Sequence, residues 1–353
     1  MPFKPAPRIR KPARPMQPLI DPAGWTAAEL AADDGWIYAL SDAEADEVSA
    51  AVAKLQTPDM DILALRQGDF SMPRLDKALF MLKGELDEGR GFVLIRGIPV
   101  AGMDRAGVAA AFWGIGTRFG AAVCQNGQGH MLGHVKDIGG DPGNRNTRGY
   151  LTADEIGYHC DPCDYVGLLC LHPAKSGGWS RIASTVGIYN EMLKRCPDLL
   201  NELIADYYFS RHAEVSKGER PWYKQAMFSF HEGYFTGRSP GDFALRAQGL
   251  PGVPDMTRAQ HAAFKAFRDI AGELHFAMDF RQGDMQLLNN AVVSHSRGEF
   301  EDWPEPENKR HLIRLWLTDA EARPMIPGLR EMTHGVAVKG VPPTAPLDVA
   351  ELV

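Results

Sequence analysis

Apolar residues recur at helical spacing through the first part of the chain and at strand spacing through its last part. Ser41 followed by Glu44 makes a capping box, after which Ala45, Val48, Val52 and Leu55 lie three or four positions apart. Leu75, Leu79, Leu82 and Leu86 predict a second helix. That pattern breaks at Gly89-Arg90-Gly91, and the apolar run "FVLIRG" behind it predicts a buried strand. Thr257 with Gln260 opens a further helix whose inner face is Phe264, Phe267, Ile270 and Leu274. Short apolar runs follow, "HFAMDF", "MQLL", "AVVSHS" and "HLIRLWL", punctuated by "QGD" and "NN". Short strands with frequent turns behind a helix-rich beginning predict a mainly β fold, a sandwich or barrel with helices packed outside.

Between these regions, residues 120–157 are rich in Gly, Asn, Asp and Gln with weak periodicity, which suits a long surface loop or lid beside a site. The opening "MPFKPAPRIRKPARPMQPL" alternates prolines with basic residues, so no amphipathic helix can form there. Residues 1–20 are therefore expected to be an arm, mobile or held by a partner. Residues 21–353 are expected to make a single domain, since a helix-decorated β core commonly reaches this length. A net charge of -7 argues against a nucleic-acid surface. No run approaches the roughly 20 apolar residues of a membrane helix. Five cysteines without framework spacing, and no apolar leader, predict a reducing, cytoplasmic setting. Homo-oligomerisation is left open.

The stretch "GYHCDPCDY" concentrates candidate chemistry. Extended backbone turns successive side chains to opposite faces, so His159 and Asp161 point one way and Cys160 the other. Cys160-x-x-Cys163 would need a second pair of ligands to hold zinc, and His172 is the only candidate nearby. A redox pair would want its first cysteine at a helix start. Both thiols are therefore read as incidental. His159-x-Asp161 is one histidine short of the 2-His-1-carboxylate triad of non-haem Fe(II) oxygenases, and His295 in "NNAVVSHSR" sits at a strand end where it could supply the third donor. Alone, such a histidine is more often structural. In "RHLIRLWL", Arg310, Leu312, Arg314 and Trp316 share one strand face. Two guanidinium groups on so apolar a strand each need an anion, either a protein carboxylate such as Asp284 or Glu299 or a ligand carboxylate. "SGGWSRIAS" adds a glycine turn and the hydroxyl of Ser180.

Taken in order, His159-x-Asp161, Gly177-Gly178-Trp179-Ser180, "NNAVVSHSR" and Arg310-x-x-x-Arg314 resemble the taurine dioxygenase and clavaminate synthase-like family of Fe(II)/2-oxoglutarate-dependent oxygenases, over roughly residues 90–320. The resemblance implies a double-stranded β-helix, or jelly roll, flanked by α-helices. It implies that His159, Asp161 and His295 hold iron, leaving positions for 2-oxoglutarate and O2. It implies that Arg310 binds the distal carboxylate of 2-oxoglutarate with Ser180, which stands where the family usually has Thr. Arg314 then matches a position that binds the acidic group of a small substrate, and Gln125 and Asn126 fall where a substrate-contacting residue is expected. The implied reaction is hydroxylation of a carboxylate- or sulfonate-bearing molecule such as an amino acid derivative, with release of succinate and CO2. Desaturation, cyclisation or oxidative cleavage would use the same iron site. A zinc hydrolase would need a general base that no His-Glu-x-x-His motif supplies, and a non-catalytic β-barrel binding protein would not need an intact ligand set.

Overall fold

The computed structural model describes residues 2–57, 59–140, 148–212, 214–239 and 241–349. Two sheets form its centre. The core strands are β1 (Ile37–Ala39), β2 (Phe92–Arg96), β3 (Ala121–Ala122), β4 (Gly133–Val135), β5 (Ile156–His159), β6 (Tyr165–His172), β7 (Ser180–Ser184), β8 (Phe276–Met278), β9 (Met285–Asn289), β10 (Val293–Arg297) and β11 (His311–Thr318). The larger sheet runs β1-β2-β9-β6-β11-β3, with β4 also paired to β11, and the smaller runs β8-β7-β10-β5. β1 and β2 are parallel; the other core pairings are antiparallel.

Alternation along β11 explains the layering. Leu312 and Trp316 enter a core shared with Ile182 and Val293 of the smaller sheet, whereas Ile313, Leu315 and Leu317 face a second core beneath the helices Asp42–Leu55, Pro73–Glu88 and Arg105–Gly116. The expected helices are present, and the capping boxes at Ser41 and Thr257 both close. The four apolar runs that follow the 258–274 helix are β8, β9, β10 and β11. A sandwich of this kind with helices outside is the jelly roll expected from the sequence.

The proline-rich opening is laid along its own chain. Its prolines leave the remaining N–H groups free to bond outward: Lys4 N donates to Gly35 O (2.7 Å), Ala6 N to the Glu85 carboxylate (3.0 Å) and Ala13 N to Gly233 O (2.7 Å). Arg10 Nε donates to Asp21 Oδ2 at 2.8 Å, and Asp21 also pairs with the almost fully buried Arg323. Of the expected loop at 120–157, positions 141–147 lie outside the described residues; the rest contains only β3, β4, a short 3-10 turn at Gly149–Leu151 and the start of β5. Among the described residues no helix is long and apolar enough to cross a membrane.

Candidate active site

His295 in β10 lies directly opposite His159 in β5, so the two imidazoles project from adjacent strands toward one point. Their ring centroids are 4.2 Å apart. Asp161 lies two residues beyond the end of β5; its Oδ1 is 3.8 Å from His159 Nε2 and its Oδ2 is 3.7 Å from His295 Nε2. One donor atom from each of the three lies within 4.8 Å of the others. His159 Nδ1 is 2.9 Å from Gly157 O; since a carbonyl can only accept, Nδ1 carries the proton and Nε2 keeps its lone pair. Burial, aided by the neighbouring His159, pushes His295 down to about 3 and keeps it neutral. Burial alone would raise the Asp161 carboxyl, but Arg314, the two histidines and Trp316 outweigh it and hold it below the ordinary carboxylate range. Two imidazoles and an ionised carboxylate converging on one point fit the donor set of a non-haem Fe(II) centre.

β11 closes the other side. Trp316 Nε1 donates to Asp161 Oδ2 at 2.7 Å, and Arg314 Nη1 stands 3.8 Å from the same oxygen. Arg314 Nε donates to Gln125 Oε1 at 2.8 Å, while Gln125 Nε2 donates to Arg314 O at 2.8 Å and Met131 O at 3.0 Å. The guanidinium is stacked between rings, 4.9 Å from the centroid of Tyr150 and 4.8 Å from that of Trp316. Neither acidic partner considered from the sequence meets it: Asp284 is taken by a two-pronged pair with Arg96 at 2.9 Å, because β2 and β9 are neighbours, and Arg314 has Asp161 as its nearby carboxylate instead. Asn126 is buried one residue along and spends its Oδ1 on Gln128 N (3.0 Å) and His130 N (3.2 Å), which shapes the turn that follows Gln125.

Arg310 precedes β11 and is 4% exposed. Its guanidinium lies over Phe300 and reaches Gly178 O at 3.3 Å, leaving Nη1 buried without a partner among the described residues. Burial drags it down to about 10, the mark of a cation lacking an anion. Such an orphaned guanidinium fits a carboxylate ligand. Gly178 has φ +67°, and a Cβ there would come within 3.0 Å of Arg310 Nε, so the glycine turn makes room for this side chain. Ser180 Oγ is buried and 3.0 Å from Gln286 Oε1.

Cys160 and Cys163 are free, with Cys160 Sγ turned toward Val293 O and Ser239 N. His172 pairs in the ladder with His311 and lies on another strand. Residues that sequence reasoning did not single out also belong to the site: Tyr150 over Arg314, Arg238 bonded to Asp161 O, and Arg297 beside Arg310. Each of these arginines carries a buried nitrogen with no partner among the described residues.

Residues 54–316 match the model of the taurine catabolism dioxygenase TauD, TfdA family. The chain is 30% identical to the FR-33289 synthase of Streptomyces rubellomurinus, covering 87% of this chain and 92% of that protein. It is 27% identical to the taurine hydroxylase-like protein SAT17 of Stachybotrys chartarum, over 88% and 83% respectively. Among solved structures it resembles an asparagine oxygenase in complex with Fe(II), 3-hydroxyasparagine and succinate, with a TM-score of 0.61, 17% identity, and 86% and 98% of the two chains covered. It also resembles the non-haem iron oxygenase OrfP in complex with Fe and α-ketoglutaric acid, with a TM-score of 0.59, 14% identity, and 80% and 94% covered. These distant structures establish a common fold, and the family match across most of the chain establishes more: this protein belongs to the TauD, TfdA family and is an Fe(II)/2-oxoglutarate-dependent oxygenase.

Proposed function

We propose that His159, Asp161 and His295 hold the iron, that Arg310 with Ser180 receives the distal carboxylate of 2-oxoglutarate, and that Arg314 receives the acidic group of a small substrate. The substrate is hydroxylated, with release of succinate and CO2. One observation carries this reading: three metal-ligand-type donors converge within 4.8 Å beside buried arginines with N–H groups unpartnered among the described residues. When bound, iron with O2 and 2-oxoglutarate supplies the oxidising chemistry, and the protein supplies placement. Trp316 fixes the Asp161 carboxylate, and Gly157 O fixes the His159 tautomer.

Arg314 has a particular place in this scheme. Its nearby carboxylate belongs to Asp161, whose charge a divalent ion would claim. A guanidinium stacked between Tyr150 and Trp316 is then short of an anion, and a substrate carboxylate or sulfonate supplies it. Gln125 holds Arg314 at this angle, and Asn126 contributes to the pocket wall through its turn. The hydroxyasparagine and hydroxyarginine bound by the two oxygenase neighbours favour an amino acid derivative as substrate. Free cysteines suit the reducing, cytoplasmic setting expected from the sequence. We also take residues 21–353 to act as one oxygenase unit, with the arm as its brace.

A screen for substrate-stimulated 2-oxoglutarate turnover over small acids and amino acids tests the reading, with succinate release and metal content measured in parallel. Stimulation only by acidic compounds, dependent on iron, is the expected result. Equal activity with zinc, or hydrolysis without succinate, would replace it with a hydrolase.

A further inference from the structure

Arg297 lies two residues beyond His295 on β10, on the same strand face, and directly opposite Ser180 of β7. It is 6% exposed. Its Nη2 donates to the main-chain carbonyls of Thr152 (2.8 Å) and Asp154, and comes within 3.5 Å of Gly149 O. Its Nε and Nη1 are buried without a partner among the described residues. The guanidinium carbon is 4.9 Å from the centroid of Phe300, and that of Arg310 is 5.1 Å from the same ring.

Two buried cations thus meet at one aromatic ring, both with uncommitted N–H groups and, among the described residues, neither with a bonded carboxylate. Carbonyl dipoles compensate only partly for two buried like charges, and a bound anion that both reach would add the missing partner. The carbonyls held by Arg297 belong to the segment that carries Tyr150, whose ring covers Arg314.

We propose that Arg297 is a second positioning cation for the co-substrate carboxylate, and that through its bonds to residues 149–154 it conveys co-substrate arrival to Tyr150 and Arg314 in the substrate pocket. This rests on the reading of Arg310 as the 2-oxoglutarate anchor. It makes co-substrate binding the step that firms the substrate pocket.

The test uses the full-length protein with Fe(II), held anaerobic, and 2-oxoglutarate as the only added ligand. Affinity is read from the charge-transfer absorption of the complex, and local order from amide hydrogen exchange in peptides covering 149–156. In the wild type, 2-oxoglutarate should slow exchange there. Arg297→Gln should weaken 2-oxoglutarate binding by at least about tenfold, as for loss of a charge-assisted hydrogen bond, and at saturation should leave exchange at its ligand-free rate. Arg297→Lys keeps the charge but not the fork, so it should regain affinity without regaining protection. If Arg297→Gln does not fold, the lysine variant decides alone, and full protection in it would overturn the coupling. Unchanged affinity in Arg297→Gln, or wild-type exchange indifferent to 2-oxoglutarate, would overturn the role of Arg297 while leaving Arg310 in place. Absence of 2-oxoglutarate binding by the wild type would instead remove the anchor reading and this inference together.

Discussion

Trp316 Nε1 and Asp161 Oδ2 are joined by a 2.7 Å hydrogen bond that ties β11 of the larger sheet to the acidic member of the His159–Asp161–His295 cluster. The bond leaves the carboxylate one orientation, and burial of Asp161 at 5% exposure keeps water from competing for it. Trp316→Phe keeps an aromatic ring in the core and removes the donor, at the cost of some packing and of part of the surface stacked on Arg314. Fe(II) affinity should fall roughly 10- to 100-fold, as for other residues supporting a metal ligand, with thermal unfolding still cooperative. Unchanged affinity in a metal titration would show that the indole does not orient the carboxylate.

His295→Ala should abolish succinate release and iron retention while the protein remains folded, because the ring contributes a donor rather than core packing. Metal analysis and calorimetric unfolding check the two halves separately. A fully active variant would dismiss His295 as a ligand.

Arg310→Ala should raise the Michaelis constant for 2-oxoglutarate by at least about tenfold, corresponding to one charge-assisted hydrogen bond of roughly 1.5 to 3 kcal/mol. Ser180→Ala should cost less, since its hydroxyl must first leave Gln286. No change in the arginine variant would mean that the pocket floor lies elsewhere.

Arg314→Leu should leave slow, substrate-independent 2-oxoglutarate decay intact and raise the substrate Michaelis constant by roughly tenfold or more. Gln125→Ala should shift the same constant in the same direction, by freeing the guanidinium. Amide or ester analogues of the true substrate should be poor for the wild type. A defect confined to 2-oxoglutarate binding would reverse the assignment of the two arginines.

Asp21 carries the pH prediction. Burial by itself raises its pKa, but Arg323, Arg10 and Ala23 N outweigh that and lower it below the ordinary value. A folded pKa below the unfolded one stabilises the fold above the unfolded pKa, and that stabilisation is lost as pH falls through the folded value. Asp21→Asn should therefore cost about 3 to 5 kcal/mol near neutrality, as when one partner of a buried pair is removed. The gap to wild type should close below about pH 4. A gap independent of pH in denaturant titrations would refute the ionic account of the arm.

Much of this site could be read from alternation alone. Extended backbone puts His159 with Asp161 and Arg314 with Trp316; pairing of β5 with β10 then joins the two histidines, and β11 meets them from the other sheet through side-chain contacts with Asp161. The glycine turn before Ser180 was legible because only glycine tolerates its geometry beside Arg310. Tyr150 and Arg297 were not legible. Tyr150 lies in a segment without periodicity, and its meaning comes from a ring stacked on an arginine far along the chain. Arg297 reads as an ordinary polar residue at a strand end until Ser180 and Phe300 are seen beside it. The partner of Asp284 was missed for a similar reason, since strand order, which no local pattern encodes, sets Arg96 next to it.

The thiol of Cys160 stands between two of the cluster's residues in sequence yet faces Val293 O and Ser239 N on the opposite side of the strand. Burial pushes it up to about 11, so it stays a thiol rather than the reactive thiolate. An enzyme that activates O2 endangers its own sulfur whenever a turnover misfires without substrate. Here the nearest sulfur in sequence is both turned away and chemically quiet, a protection that comes from the two-residue repeat of extended backbone.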